Sequence, residues 1–293
     1  MIETYVIHVT KECNMKCVYC YEKDKVSTYT WEEIRSFLDD LILRSPDEFQ
    51  IEFLGGEPML RWDLIRNTYE YMERISYKTV TSYGITTNGT ILNEEIMDYL
   101  YKNKKFGFNV SLDGHKFANQ LRVMKDNKNS YDIAMGNLIK LLKRKINCSI
   151  HIVSHPYNVA MLYDSIVHFY DKGIRSIGIG TVEKTIGIDE RYNKRFIEEL
   201  NRVSIAIITG RLKDLKIGLF ENVKPPEDVR CYIRDENGKL IAESYGRSGE
   251  DITTDKNYNV IRCEQKDKAV MYIEYIRRKV YDNHQNNLRM FNV

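Results

Sequence analysis

The sequence predicts an α/β fold built on a parallel sheet, with a small β-rich and helical extension at its C-terminal end. Three observations carry this expectation. Short β-branched runs alternate with helix-periodic runs through about the first 180 residues, the signature of β–α units in series. The residues of unusual chemistry fall directly after the predicted strands. The pattern then changes after about Arg211, and Pro225-Pro226 interrupts the chain.

Residues 5–10, Tyr-Val-Ile-His-Val-Thr, alternate and are rich in β-branched side chains, which predicts the first strand. A Cys-rich loop follows. Residues 30–44 then repeat Trp31, Ile34, Phe37, Leu38, Leu41 and Ile42 at helical spacing. A second strand over 49–54 ends at Gly55-Gly56, and Leu64, Ile65, Tyr69 and Met72 mark the next helix. The third strand, 80–87, turns at Asn88-Gly89 toward a helix over 93–102. A fourth strand, 108–111, is broken by Asp113-Gly114 and precedes a strongly periodic helix over 131–143. Residues 148–153 and 177–179 predict the fifth and sixth strands, with a helix over 159–170 between them. Strands joined by helices run parallel. Periodicity leaves open whether the sheet closes, but a barrel or partial barrel places its chemistry on the loops after the strand C-termini.

Beyond the sheet, residues 231–242 read as a hairpin turning at Glu236-Asn237-Gly238, and 253–263 as a second turning near Asp255-Lys256-Asn257. Residues 268–283, with Val270, Ile273, Ile276 and Val280, predict a terminal helix. The expected domains are therefore 1–215 and 216–293. No internal repeat of solenoid period is visible.

Hydrophobic residues make 43% and charged residues 29% of the chain, which excludes collagen-like, low-complexity and wholly disordered classes. Lys plus Arg number 44 against 42 Asp plus Glu, and a net charge of +2 gives no field to hold a polyanion, so nucleic acid is not favoured as a partner. No apolar stretch approaches the roughly 18–20 residues that span a bilayer, and the N-terminus has neither a basic nor a long apolar region. The expected compartment is the cytoplasm, with no membrane partner.

Three of the six cysteines crowd into Cys13-Asn14-Met15-Lys16-Cys17-Val18-Tyr19-Cys20, a poor spacing for a disulfide framework and a good one for metal or redox chemistry. Three thiolates can wrap a cubane iron–sulfur cluster and leave one iron open to another ligand. The alternative is structural zinc, which wants a closed tetrahedral set and would need a fourth ligand such as His8 or a distant cysteine. The second-strand loop reads Gly55-Gly56-Glu57-Pro58. Its glycines let backbone approach a ligand, Glu57 offers a carboxylate to an ammonium, and Pro58 stiffens the exit. A tight strand-to-helix turn accounts for the glycines equally well.

Together these residues resemble the radical SAM enzymes. The CxxxCxxC loop, with aromatic Tyr19 before the last cysteine, and the following GGEP are similar to that superfamily's two most diagnostic signatures. The resemblance implies a partial (β/α)6 TIM-like barrel in which Cys13, Cys17 and Cys20 bind a [4Fe-4S] cluster. S-adenosylmethionine would chelate the open iron through its amino and carboxylate groups, its ammonium contacted by Gly55, Gly56, Glu57 and Pro58. Thr86-Thr87-Asn88-Gly89 resembles the family's TNG, and Ser111-Leu112-Asp113-Gly114 followed by Arg122 resembles the subgroup with SPASM or twitch extensions, which includes anaerobic sulfatase maturases and ribosomal-peptide maturases. Carried over by position, Ser111 and Arg122 would hold the ribose and carboxylate of S-adenosylmethionine, with Asn88 nearby.

The activity implied is reductive cleavage of S-adenosylmethionine to a 5′-deoxyadenosyl radical, driven by an external flavodoxin- or ferredoxin-like donor, and hydrogen abstraction from a peptide or protein side chain. One alternative is a nucleotide or nucleoside substrate, for which some of the 21 tyrosines could serve as stacking platforms. Another is a non-catalytic iron–sulfur or zinc scaffold or sensor, which leaves GGEP, Ser111 and Arg122 without a role. SPASM relatives carry about seven cysteines in their extensions, whereas Cys231 and Cys263 alone remain here. The extension is therefore expected to have lost its auxiliary clusters and to serve as a cover or docking surface. Cys148 reads as a small buried hydrophobe, and the six histidines, His151 and His155 among them, as ordinary polar or core residues.

Overall fold

All six strands expected from alternation are present. In the computed structural model, which describes residues 3–22, 28–75, 78–182 and 188–218 and the backbone of three later strands, these are β1 (Glu3–Thr10), β2 (Glu48–Gly55), β3 (Thr79–Thr87), β4 (Phe106–Ser111), β5 (Asn147–Ser154) and β6 (Ser176–Thr181). The helices between them are α1 (Trp31–Arg44), α2 (Trp62–Arg74), α3 (Glu94–Lys102), α4 (Tyr131–Lys143) and α5 (Leu162–Asp171). A further helix, α6 (Glu190–Ile208), leads to a seventh strand, β7 (Lys216–Ile217). The sequence does not reveal β7, because two residues carry no periodicity. The seven strands form one sheet in chain order. The pairs β1–β2, β2–β3, β3–β4, β4–β5 and β6–β7 are parallel, as helical connections require.

By compactness the chain divides into residues 1–151 and 152–293, and every candidate site residue lies in the first unit. There the strands show two faces. Phe49, Ile51 and Phe53 of β2, Val80, Tyr83 and Ile85 of β3, and Phe106, Phe108 and Val110 of β4 are buried. Trp62 and Tyr69 of α2 and Tyr99 of α3 pack at tilted angles around Phe106, and Tyr69 also meets Tyr83 edge-on. The opposite face carries half-buried polar residues. Ser149 donates to Asn109, Asn109 to Thr86, and Thr86 to Glu52, a row that crosses four adjacent strands.

In the second unit, the buried Glu199 of α6 accepts the Tyr163 amide at 3.0 Å and pairs with Arg195 and Arg202, so its charge is fully countered. A separate antiparallel sheet runs in the order β10 (Val260–Cys263), β8 (Arg230–Arg234), β9 (Leu240–Tyr245). β8 and β9 form the hairpin expected over 231–242. β10 pairs with β8, in a register that sets Cys263 opposite Cys231. The rest of the second expected hairpin and the helix expected over 268–283 lie outside the described residues. No helix among the described residues is long and apolar enough to cross a membrane.

Candidate active site

The site begins where β1 and β2 end. Gly56 donates its amide to Thr10 O and Glu57 donates its amide to Glu12 O, each at 2.8 Å, so the second loop lies directly against the first. A Cβ on Gly55, whose φ is +142°, would sit 2.1 Å from Thr10 O; one on Gly56 would sit 2.2 Å from Glu12 O. Glycine is required at both positions because backbone meets backbone there.

Glu57 is completely buried. Its Oε1 accepts Met59 N at 3.0 Å and Thr87 Oγ1 at 2.6 Å, and its Oε2 accepts Asn88 N at 2.7 Å. Burial pushes its carboxyl up to about 7, while the three donors, which favour the charged form, pull the other way. The carboxylate expected to meet an ammonium thus ties the loop after β2 to the loop after β3. Pro58, also buried, opens the short 3₁₀ turn Pro58–Arg61 that leads into α2.

Asn88 extends the same chain of contacts. Its Nδ2 donates to Asn14 Oδ1 at 2.8 Å and lies 3.9 Å from Cys13 Sγ, and its Oδ1 accepts from the Thr90 amide at 2.9 Å. Its side chain therefore orients the Cys loop. Past β4, residues 121–125 lie antiparallel to that loop: Lys16 N donates to Val123 O at 2.8 Å, Val18 N to Leu121 O at 3.0 Å, and Lys125 N to Asn14 O at 3.3 Å. Met15, 1% exposed, bridges to Met124. Four successive strand-end loops are interlocked by these bonds.

Cys13 is buried and Cys17 and Cys20 half-buried, all three as free thiols. Burial raises the Cys17 thiol; the Arg122 cation opposes this, and Asp113, Cys13 and Cys20 add to it. The three thiols and Arg122 therefore share one neighbourhood. Arg122 is only 7% exposed. Its Nε donates to Asp113 Oδ1 at 2.9 Å, the one hydrogen bond of its side chain among the described residues, so no protein acceptor is bonded to the two terminal nitrogens. Asp113 Oδ2 accepts the Tyr19 hydroxyl, and the Arg122 guanidinium lies 5.6 Å from the Tyr19 ring centre. Ser111, at the end of β4, is in register with His151 on β5. Burial lowers the His151 imidazole, with Arg122 acting in the same direction and Asp113 and Glu52 opposing.

These residues fit an iron–sulfur cluster with one open iron and a carboxylate-bearing ligand. Cys148, opposite Phe108 near the start of β5, lies at the far end of its strand from the Cys loop and offers no fourth thiol. Among the described residues no three His, Cys, Asp or Glu side chains, the three thiols included, gather as closely as a single ion needs. A guanidinium held through Nε keeps two terminal nitrogens that suit a carboxylate. Local spacing singles out Cys13, Cys17 and Cys20, and the family resemblance adds Tyr19, Ser111 and Arg122; the structure brings Tyr19 and Arg122 together through Asp113. Spacing alone reads Asp113-Gly114 as a turn and gives no sign that Asp113 is the partner of Arg122. The strand register of His151 with Ser111 could not be read from spacing alone.

A parallel α/β sheet whose strand-end loops present three thiols beside such an arginine is an arrangement that can hold an iron–sulfur cluster next to an anionic ligand. The family model described as the radical SAM superfamily matches residues 7–168, more than half the chain, and the chain belongs to that superfamily. It is an enzyme that uses a [4Fe-4S] cluster and S-adenosylmethionine.

An uncharacterized protein of Methanocaldococcus jannaschii is 26% identical over 238 residues, covering 80% of this chain and 79% of the relative. A cysteine-type anaerobic sulfatase-maturating enzyme of Clostridium novyi is 28% identical over 177 residues, covering 56% and 46%. A GTP 3′,8-cyclase of Synechocystis is 33% identical over 112 residues, covering 36% and 32%. The matched region thus spans less than half the length of these last two relatives. Among solved structures, native anSMEcpe with bound AdoMet and Kp18Cys peptide superposes with a TM-score of 0.68 at 17% identity, covering 94% of this chain and 83% of that one, which shows a shared partial-barrel fold.

Proposed function

We propose that this enzyme cleaves S-adenosylmethionine reductively and uses the radical to take hydrogen from a peptide or protein side chain. When bound, cluster and cofactor supply a 5′-deoxyadenosyl radical once an electron arrives from an external flavodoxin- or ferredoxin-like donor. The chain's own residues hold and orient. Cys13, Cys17 and Cys20 would ligate three irons. Arg122 would take the cofactor carboxylate as a planar two-pronged donor, and its largely buried side chain, bonded to the protein through Nε and leaving both terminal nitrogens for a ligand, is the observation that carries this reading. Ser111, half-buried at the end of β4, is a hydroxyl suited to a ribose. Because the Glu57 carboxylate already accepts three internal donors, the methionyl ammonium would be met by backbone carbonyls of the Gly55-Gly56 turn. Asn88 would act through Asn14 and Cys13, and Tyr19 through Asp113.

A peptide substrate is supported by the sulfatase-maturating relative and by the peptide seen in the anSMEcpe structure. In the three-stranded sheet, β9 and β10 each have β8 as their described partner, and such outer strands suit addition of an extended peptide. A nucleotide substrate is the second reading, favoured by the GTP 3′,8-cyclase relative. Anaerobically reconstituted protein is expected to carry about four irons and, with dithionite and S-adenosylmethionine, to release 5′-deoxyadenosine. Cys17→Ala is expected to abolish both, and retained cleavage would exclude the assignment. A cysteine-bearing peptide is expected to raise 5′-deoxyadenosine formation where GTP does not; the reverse establishes the second reading.

A further inference from the structure

The Arg122 guanidinium is fixed from behind. Asp113 has no exposed side-chain surface, and its two oxygens are shared between Arg122 Nε and the Tyr19 hydroxyl. Its own amide donates to Asn119 Oδ1 at 2.9 Å, and Asn119 is completely buried. Ser130 Oγ then donates to the Arg122 carbonyl at 3.0 Å, so backbone and side chain of Arg122 are both anchored. A guanidinium bonded through Nε keeps one rotamer and points its terminal nitrogens in one direction. The carboxylate also balances a buried cation that would otherwise stand beside Cys17 uncompensated.

We propose that Asp113 and Tyr19 form a positioning pair that holds Arg122 so that its terminal nitrogens face the carboxylate of S-adenosylmethionine. This rests on the assignment of that carboxylate to Arg122. Tyr19 comes from the Cys loop and Asp113 from the loop after β4, so the pair also links the orientation of the arginine to the loop that bears the thiols. Neither residue transfers a proton or an electron here; they set where a cation points.

The experiment measures binding of S-adenosylmethionine, and of decarboxylated S-adenosylmethionine as a probe lacking only the carboxylate, to anaerobically reconstituted wild type, Asp113→Asn, Arg122→Gln and the double variant. Asp113→Asn is expected to keep its iron and to bind S-adenosylmethionine about tenfold to a hundredfold more weakly, the range for loss of a charge-assisted hydrogen bond. Its affinity for the decarboxylated probe is expected to match wild type, and the double variant to be no weaker than Arg122→Gln alone. Unchanged S-adenosylmethionine affinity, equal loss of both ligands, or additive losses in the double variant would overturn the proposal. If Asp113→Asn loses iron, Tyr19→Phe decides: it keeps the ring and removes the hydroxyl, and is expected to weaken S-adenosylmethionine alone by severalfold, with no weakening counting against the pair. Failure of wild type itself to prefer the carboxylate-bearing ligand would instead refute the Arg122 assignment.

Discussion

A methyl group added at Gly56 would meet main-chain oxygens, which no side-chain rotation can relieve. Over-packing of this kind costs about 1–3 kcal/mol. Gly56→Ala is therefore expected to lower the urea midpoint and, because Glu12 adjoins Cys13, the iron retained per chain; wild-type values of both would show that the loops separate cheaply. Glu57 brings a pH dependence. With its folded value near 7, above the ordinary 4.5, the fold favours the neutral carboxyl, and this group's contribution to stability falls as pH rises from about 4.5 through 7. Thr87→Val removes a donor to the charged form, so its penalty is expected to reach about 1–3 kcal/mol at pH 8.5 and to be smaller at pH 6, read from urea unfolding at both. An equal penalty at both pH values would show that Glu57 does not titrate in this range. Burial pushes the Cys148 thiol up to about 12, and its Sγ donates to Ile146 O. It is expected to resist iodoacetamide at pH 8 for much longer than an unperturbed thiol, by mass-spectrometric labelling. The thiols and the glycines stand out in the sequence because their chemistry is concentrated at short spacing, whereas Arg122 is singled out there only by the family resemblance. The partner of Glu57, 31 residues away, is supplied by another loop, and that of Arg122, 9 residues away, by a fold of its own loop, and neither pairing leaves a local signal.

At the level of elements, local periodicity carried most of the architecture. α4 and β2 show their buried faces in the sequence, and both lie where expected. β4 begins at Phe106, two residues before its expected start, because Gly107 interrupts the apolar pattern while contributing only backbone to the ladder. The ladder between the Cys loop and residues 121–125 had no signal at all. It rests on main-chain amides, and any non-proline residue supplies one. Val18 illustrates this: its side chain is 68% exposed, yet its amide donates to Leu121 O. Val18→Pro is expected to keep the far-ultraviolet dichroism of the wild type and to lose iron on gel filtration, whereas Val18→Ala is expected to keep both. Equal iron in the two variants would mean that this hydrogen bond does not brace the loop.

For the molecule as a whole, the question is how many clusters it carries. Two thiols cannot complete the usual four-cysteine set of a second [4Fe-4S] cluster, even though the register sets Cys231 opposite Cys263. Reconstitution is expected to stop at about four irons, and Cys231→Ser with Cys263→Ser to leave that number unchanged. Eight or more irons persisting without Cys13, Cys17 and Cys20 would refute this. The hairpin of β8 and β9 was legible from its turn residues; the pairing of β10 onto β8 was not, since register between distant strands leaves no local trace. The interlocking of the four strand-end loops has a consequence for how the protein is made. Every bond in it joins one part of the polypeptide to another, so the socket can be finished before any metal reaches it. Protein stripped of its iron by oxygen is accordingly expected to keep the wild-type far-ultraviolet dichroism and to take iron again without a refolding step.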